Sequence, residues 1–292
     1  MNYVLYRITR FFLYLISLLP FRVLYLLSDF FYLVIYYVVK YRRVVVRTNL
    51  QNAFPEKSEM ERAEIEKKFY RFLTDLILET IKMLSISTES IKKRFKLINA
   101  EIMQEHFNAG RSVLLVSGHY GNWEWSTIGL PLGFKEPLLV IYKPLSDKNF
   151  QKMFNSMRSK TGGVLVSMKQ TLKKIIEFKG QIYFAGFASD QTPPQGESKH
   201  FTNFLNQPTS VFLGVEKIAK LTNNTIIFGH FDRVKRGYYT CTFKTLFTKP
   251  KDTKEFEITE RHTRELEQII QKKPELWLWS HKRWKFKPED VQ

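Results

Sequence analysis

The pattern of apolar and polar residues between positions 113 and 187 predicts strands that alternate with helices. Short runs of apolar and β-branched residues predict buried strands at residues 113–116, 137–142, 164–166 and 181–187. Capping residues and helical spacing predict helices that begin at Asn122, run over residues 147–160 and run over residues 169–179. This order favours an α/β fold, in which ligands bind at the carboxyl ends of the strands.

The flanking segments make the predicted sheet mixed and add helices around it. We expect a loop over residues 193–208, a helix over 209–221, strands at 225–229 and 238–247, and a final helix over 257–272. The two strands are joined through Arg236-Gly237, which is typical of an antiparallel hairpin. Upstream, the pattern predicts a polar joint over 48–57, a packing helix that ends near Leu84, and a basic, amphipathic region over 91–108.

The amino-terminal residues predict a membrane-associated helical segment. Residues 11–21 and 30–39 carry no charge, and Pro20 breaks the segment, but neither run reaches the ~20 apolar residues of a spanning helix. Two membrane-seeking helices, or one tilted spanning helix after an interfacial one, fit this pattern. A soluble core helix is one alternative. A cleaved signal peptide is another, although no small-residue cleavage site follows Pro20. We therefore divide the chain into membrane-anchoring helices over 1–47 and an α/β domain over 48–292.

The distribution of charge predicts an anionic partner and a cytoplasmic location for the domain over 48–292. The chain of 292 residues carries a formal net charge of +18, which attracts nucleic acid, an anionic membrane surface, a phosphorylated lipid or an acidic carrier protein. The basic residues after the apolar segment outnumber those before it, which places the following domain on the cytoplasmic side. These residues are Lys40, Arg42, Arg43 and Arg47 after the segment, and Arg7 and Arg10 before it.

Composition also excludes several kinds of site. Cys241 is the only cysteine and lies in an alternating strand pattern, so neither a disulfide nor a cysteine zinc site is expected. The histidines outside the central motif show no metal-ligand spacing, so no metal or other cofactor is predicted. They are His106, His200, His230, His262 and His281. Nucleic acid is not an expected partner, since no phosphate-binding glycine loop, recognition helix or RNA-binding aromatic motif is present.

A histidine at the end of the strand at residues 113–116 is the main candidate for chemistry. Gly118 and Gly121 bracket His119 and permit a tight loop, while Glu124 falls in the first turn of the helix that Asn122 caps. A carboxylate there can hold one ring nitrogen and leave the other basic toward a substrate hydroxyl. A structural or solvated histidine is the alternative.

Several motifs along nearly the whole chain resemble those of one known family. They are Asn49-Leu-Gln-Asn-Ala-Phe-Pro55, Gly118-His-Tyr-Gly-Asn-Trp-Glu124, Tyr142-Lys-Pro144, Arg158 with Gly162, Asp190-Gln191, and Pro274-Glu-Leu-Trp-Leu-Trp-Ser-His-Lys-Arg-Trp-Lys285. In order and spacing they resemble the bacterial lipid A late acyltransferases, the lauroyl and myristoyl transferase family within the glycerolipid acyltransferases. Lys143 stands where the family often has arginine, and Gly162-Gly163 replaces an aromatic-glycine pair.

The resemblance implies transfer of a fatty acyl chain from an acyl carrier protein thioester to a hydroxyl of a lipid A precursor at the inner membrane. It implies a glycerolipid-acyltransferase-like domain with His119 as general base, Glu124 as its orienting carboxylate and no covalent acyl-enzyme. Arg158 and Asp190 are implied as further catalytic residues. Lys143, Asn122 and Gln191 are the candidates for substrate binding. The alternatives are the same chemistry on a lysophospholipid, aminolipid or glycolipid, and a non-enzymatic basic protein that binds membranes or nucleic acid.

Overall fold

The protein is built around a sheet whose strands were mostly visible in the sequence. The computed structural model describes residues 3–194 and 200–291. The strands are β1 (Phe95–Ile98), β2 (Val113–Ser117), β3 (Leu138–Tyr142), β4 (Val164–Ser167), β5 (Phe184–Ala188), β6 (Phe201–Phe204), β7 (Gln207–Ser210), β8 (Thr225–Lys235) and β9 (Tyr238–Phe247). Within the described residues they form a seven-stranded sheet in the order β1-β9-β8-β2-β5-β3-β4 and a separate β6-β7 hairpin.

Helices surround this sheet. They are α1 (Tyr3–Leu18), α2 (Phe21–Leu33), α3 (Arg43–Ala53), α4 (Glu59–Lys82), α5 (Thr88–Arg94), α6 (Glu101–Asn108), α7 (Trp123–Gly129), α8 (Lys148–Arg158), α9 (Thr171–Glu177), α10 (Gly214–Thr222) and α11 (Glu257–Lys272). A π-helical turn, Val34–Val38, extends α2, and short 3-10 turns occupy Leu130–Leu132, Met168–Gln170, Pro250–Asp252, Pro274–Leu276 and Pro288–Val291.

Strand β2 lies at the centre of the sheet and is parallel to both of its neighbours, β5 and β8. Strands β3 and β4 continue the parallel part on one side, while β8 and β9 form an antiparallel pair and β1 joins β9 in parallel. The predicted α/β class with a mixed, mainly parallel sheet is therefore confirmed. The turn at Arg236-Gly237 joins β8 to β9 as predicted.

Both faces of the sheet are buried, and alternation along β2 explains how one strand supplies two cores. Val113 and Leu115 belong to the larger hydrophobic cluster, whereas Leu114 and Val116 belong to the smaller one. Successive side chains of a strand point to opposite faces, so a fully buried strand is apolar throughout. All five residues of β2 are buried.

Three predictions of secondary structure were wrong. In each segment, contacts with residues distant in sequence determine the secondary structure, and the local pattern does not show them. The predicted polar joint is largely helix α3, because buried Asn49 donates from its amide to the carbonyls of Trp279 and His281. The predicted loop and helix start around residues 200–213 contain the β6-β7 hairpin, which turns through Leu205 and Asn206 at positive φ. Residues 195–199 of that predicted loop lie outside the described residues. Strand β1 falls in the segment that was predicted only as basic and amphipathic.

The amino-terminal helices α1 and α2 both pack on α4. Among the described residues, the stretch Phe21–Val38 is long and apolar enough to cross a membrane, judged by length and composition alone. The predicted boundary between residues 47 and 48 falls inside α3.

Candidate active site

The loop after β2 is shaped by two glycines. A Cβ atom at Gly121, where φ is +59°, would lie 2.1 Å from the carbonyl oxygen of Phe231. A Cβ atom at Gly118 would lie 2.8 Å from the Leu266 side chain and 3.1 Å from a carboxylate oxygen of Asp190. Glycine therefore lets this loop press against β8 and α11, and the compact turn fixes where the His119 ring projects.

His119 is held by Asp190, which is supplied by the neighbouring parallel strand. The register pairs Ser117 of β2 with Ala188 of β5, so the residues two positions beyond each strand end meet at the same edge. His119 Nδ1 lies 2.6 Å from Asp190 Oδ1, and the His119 backbone N–H donates to Asp190 Oδ2 at 2.9 Å. The indole N–H of Trp277 donates to the same Oδ2 at 2.8 Å. The Asp190 side chain is only 3% exposed, whereas the ring of His119 is 20% exposed.

These contacts fix which nitrogen of His119 is basic. A carboxylate can only accept hydrogen bonds, so Nδ1 carries the proton that Asp190 receives. The opposite nitrogen, Nε2, lies 3.2 Å from the amide nitrogen of Gln191, which donates to it. In the free base form of His119, Nε2 is therefore the nitrogen that carries the lone pair.

The two charges of the pair shift each other's pKa. Burial disfavours the imidazolium, but the negative charge of Asp190 and its hydrogen bond outweigh burial, and the pKa of His119 is raised above its usual range. Burial likewise disfavours the carboxylate, but the His119 charge and the donated hydrogen bonds lower the pKa of Asp190 to about 2. Asp190 consequently stays ionised across the physiological range.

Glu124 does not hold His119, which differs from the prediction. It forms a two-bond pair with Arg158, in which Nε donates to Oε2 at 2.9 Å and Nη2 donates to Oε1 at 2.6 Å. The reason is geometric: Glu124 lies in the first turn of α7, and its carboxylate meets the fork-shaped guanidinium at the last residue of α8. The negative charge of Glu124 still raises the pKa of His119, and the positive charge of Arg158 lowers it.

Asn122 is engaged inside the protein at both ends of its side chain, which differs from the predicted contact with substrate. Its Oδ1 accepts from the backbone N–H of Trp125 at 2.9 Å and caps α7 as predicted. Its Nδ2 donates to Glu79 Oε2 at 2.7 Å, and Asn122 is fully buried. Glu79, on α4, also accepts from the hydroxyl groups of Tyr25 and Tyr239.

Two tryptophans contact the catalytic pair, and the sequence did not predict either contact. The ring of Trp123 stands edge-on to His119, with ring centroids 5.1 Å apart. The sequence alone leaves open whether Trp277 belongs to an interfacial aromatic-basic patch or to a packed carboxyl terminus. Trp277 is 1% exposed and donates to Asp190, so it packs in the core. The aromatic carboxyl-terminal motif was the only sequence signal for Trp277. The order of residues along the chain does not show that this motif packs against Asp190.

A comparison with known protein families identifies the chain. The model described as bacterial lipid A biosynthesis acyltransferase matches residues 1–286. The chain belongs to this family. It is therefore an acyltransferase of lipid A biosynthesis, and the non-enzymatic alternative is set aside.

Curated relatives of this lipid A acyltransferase carry concordant names at low identity. The "Lipid A biosynthesis acyltransferase" of Haemophilus influenzae is 22% identical over 274 residues, which cover 92% of this chain and 84% of that protein. The "Lipid A biosynthesis palmitoleoyltransferase" of Escherichia coli is 23% identical over 263 residues, covering 86% and 81% of the two chains. The "Lipid A biosynthesis lauroyltransferase" of Escherichia coli is 24% identical over 284 residues, covering 96% and 90%.

The remaining predicted residues of this acyltransferase, Lys143 and Gln191, lie beyond the ends of strands β3 and β5. Lys143 directly follows β3 and is exposed. Gln191 is half-buried and reaches His119 Nε2, as described above. The structure thus brings His119, Asp190 and Gln191 into direct contact and pairs Glu124 with Arg158.

Proposed function

We propose that this enzyme transfers a fatty acyl chain from the thioester of an acyl carrier protein to a hydroxyl of a lipid A precursor, with His119 as general base. The observation that carries the proposal is the hydrogen bond between His119 Nδ1 and the buried, ionised Asp190, which leaves Nε2 as the basic nitrogen. This arrangement resembles the histidine and carboxylate of a hydrolase triad, but here the substrate supplies the hydroxyl.

In the proposed reaction, His119 Nε2 takes the proton of the acceptor hydroxyl while its oxygen attacks the thioester carbonyl carbon. A carbon–oxygen bond forms, the carbon–sulfur bond breaks, and the departing thiolate takes the proton back from the imidazolium. The products are the acylated lipid and the free carrier thiol. Asp190 stabilises the imidazolium that forms during the step and keeps the ring in the productive tautomer.

The absence of a suitable side-chain nucleophile among the described residues supports direct transfer without an acyl-enzyme. Ser117 is buried, and its hydroxyl lies 3.5 Å from the carbonyl of Gly118 rather than beside His119 Nε2. Cys241 is fully buried, and burial raises its pKa well above the ordinary value for a thiol. In the proposed mechanism the substrate hydroxyl is thus the nucleophile, and His119 removes its proton.

Arg158 is our candidate for stabilising the negative charge that develops on the carbonyl oxygen. The Nε and Nη2 groups of Arg158 donate to Glu124, and these two bonds fix the plane of the guanidinium. The Nη1 group is not used in that pair and can donate to an oxyanion. The amides at the start of α7 are weaker candidates, since the N–H of Trp125 already bonds Asn122.

The remaining parts of the proposal concern partners and location. The net charge of +18 suits an acidic carrier protein and an anionic membrane surface. We propose that the catalytic domain, taken as residues 48–292, has a glycerolipid-acyltransferase-like arrangement and works on the cytoplasmic side of the inner membrane. Lys143 and Gln191 are proposed to contact substrate.

A transfer assay with labelled acyl carrier thioester and separate acceptors tests this proposal. Acceptors are a lipid A precursor, a lysophospholipid, an aminolipid and a glycolipid, with acyl-CoA as a second donor. His119→Ala should lower kcat by ~10²–10⁴-fold, the usual contribution of a general base. His106→Gln, a histidine on α6 that bonds Thr245, is the matched control and should retain activity.

Each result has a defined meaning. Acylation of another lipid but not of the lipid A precursor would refute the acceptor, and preference for acyl-CoA would refute the donor. Full activity of His119→Ala would refute the mechanism. A mass increase by one acyl group after incubation with donor alone would refute direct transfer.

A further inference from the structure

We infer that α1 and α2 lie flat on the bilayer surface, as an in-plane docking face for anionic lipid, and do not cross the membrane. This inference rests on the proposed membrane location and refines it. We call the exposed apolar side of α1, α2 and the turn after α2 the docking face. Its members are Tyr3, Val4, Leu5, Ile8, Phe11, Phe12, Leu15, Leu18, Val23, Leu26, Phe30, Leu33, Tyr37, Val38 and Val39.

The opposite side of α2 is bonded along its length to the catalytic domain. The hydroxyl of Tyr25 donates to Glu79 at 2.8 Å, and that of Ser28 donates to Asp75 at 2.7 Å. Asp29 accepts from Arg236 of the β8-β9 turn at 2.7 Å and 3.0 Å. Positions 25, 28 and 29 share one helix face, so α2 is held side-on against α4.

The same is true of α1 at its carboxyl end. The ammonium group of Lys82, the last residue of α4, donates to the backbone carbonyls of Ser17 at 2.6 Å and Leu19 at 2.8 Å. At the other end of α1, the ring of Tyr6 packs edge-on against Phe150 of α8, with centroids 5.9 Å apart. Both helices therefore share their inner face with α4 or α8 and turn the apolar side outward.

A crossing arrangement conflicts with these contacts. In the stretch Phe21–Val38, Asp29 is the ninth of 18 residues, so crossing would put its charge near the centre of the hydrocarbon. A charged carboxylate at that depth is strongly unfavourable, because the hydrocarbon cannot solvate it. Its partner Arg236 also bonds Asp75, which is 2% exposed within the folded domain, and this arginine cannot follow Asp29 into the bilayer.

Charge and position favour lipid as the occupant of the docking face. Arg7 and Arg10 are exposed on the same helix that carries much of the apolar face, and the whole chain is strongly cationic. Exposed basic residues beside an apolar helix face are typical of binding to anionic bilayer surfaces. The contact between Tyr6 and Phe150 also connects this face to α8, which ends at Arg158 of the active site. An in-plane docking face would thus hold the site beside the lipid acceptor.

Cysteine labelling of the full chain in native membranes tests this inference. Cys241 is fully buried, so the unchanged chain is the blank for a membrane-impermeant maleimide. Arg7→Cys probes the amino end of α1, and Glu56→Cys, an exposed position after α3, marks the side of the catalytic domain. We expect both variants to label to the same extent in inverted inner-membrane vesicles and neither to label in intact spheroplasts.

The other outcomes overturn the inference. Labelling of Arg7→Cys in spheroplasts would show that the chain crosses the membrane, and labelling only after detergent would place the amino end in the hydrocarbon. As a second measurement, Asp29→Leu should lower Tm by about 2 °C through loss of the Arg236 pair, whereas a crossing helix would gain stability. The labelling needs no acyl donor, so its failure is separable from failure of the reaction; a chain found only in the soluble fraction would refute the proposed location itself.

Discussion

Asp190 is the residue on which the geometry of the site depends most. Its carboxylate accepts from the His119 ring, the His119 backbone and the Trp277 indole, so strand end, loop and carboxyl-terminal motif meet at one buried group. The sequence predicts His119 at the end of one strand and a second strand over residues 181–187, shortly before Asp190, yet the orienting role was assigned to Glu124. The nearer carboxylate along the chain was chosen because a single sequence does not show that β5 lies directly beside β2.

Replacing Asp190 should change both the rate and its pH dependence. The base must be neutral to act, so kcat/KM should rise with pH through the pKa of His119, which Asp190 raises. Asp190→Asn removes the negative charge, so the pKa of His119 should fall and the acid limb should move to lower pH, while the plateau drops. Measurement of kcat/KM from pH 5 to 9 checks this. An acid limb that stays in place would show that Asp190 does not act on the ring.

The indole of Trp277 can be tested against a neighbour of the same type. Trp277→Phe removes the N–H that bonds Asp190, while Trp279→Phe removes one that bonds the carbonyl of Pro274. Because only the first bond reaches the catalytic pair, we expect Trp277→Phe to lower kcat about tenfold, which corresponds to ~1.4 kcal/mol, with little change in KM. Trp279→Phe should lower Tm and leave kcat nearly intact. Equal effects on kcat would assign both residues a packing role only.

Among the elements, α4 links the amino-terminal helices to the catalytic loop. Its residues Asp75 and Glu79, one turn apart, are 2% and 0% exposed. Asp75 accepts from Ser28, Arg233 and Arg236, while Glu79 accepts from Tyr25, Tyr239 and Asn122. A single helix thus carries two buried carboxylates that join α2, the β8-β9 hairpin and the cap of α7.

The pH dependence of protein stability should show the raised pKa of the Glu79 carboxyl group. Burial and the charge of Asp75 raise its pKa to about 7, so between its unfolded pKa and about pH 7 the folded protein holds a proton that the unfolded chain has lost. Stability from this group therefore falls as pH rises through that window. Glu79→Gln stays neutral, so its Tm deficit relative to wild type should be smaller at pH 8 than at pH 5. The control is Glu64→Gln, on the same helix and 65% exposed, whose deficit should not change this way. A Glu79→Gln deficit that grows with pH would contradict the raised pKa.

Elements with strong local patterns were predicted well, and those defined by distant partners were not. Strand β2, helix α11 and the cap at Asn122 follow from apolar runs, helical spacing and capping chemistry. Strand β1 is defined by its parallel pairing with β9, and the short strands β6 and β7 are defined by their pairing with each other. Neither pairing leaves a periodic signal in four residues, so local reasoning could not have found them.

At the scale of the whole molecule, the amino-terminal helices are part of the folded structure, since α1 and α2 both pack on α4. Truncation to residues 48–292 would cut α3 in two and leave Asp75 and Glu79 without Ser28 and Tyr25. Each of the two buried carboxyl groups would lose one hydrogen-bond donor, and the side of α4 that α1 and α2 cover would be exposed to water. We expect the truncated chain to be insoluble or to show a much lower Tm than the full chain in the same detergent. A soluble, active fragment would show instead that residues 1–47 are a dispensable tether.

The central position of the site in the sheet separates two kinds of evolutionary change. His119 and Asp190 extend from β2 and β5, adjacent strands in the interior of the sheet, while Lys143 follows β3, nearer the sheet edge. Substitutions in β3, β4 and their loops would alter the proposed substrate contact at Lys143 without disturbing the register that joins histidine to aspartate. A lineage can in this way exchange one acyl chain or acceptor for another while its proton-transfer apparatus stays the same.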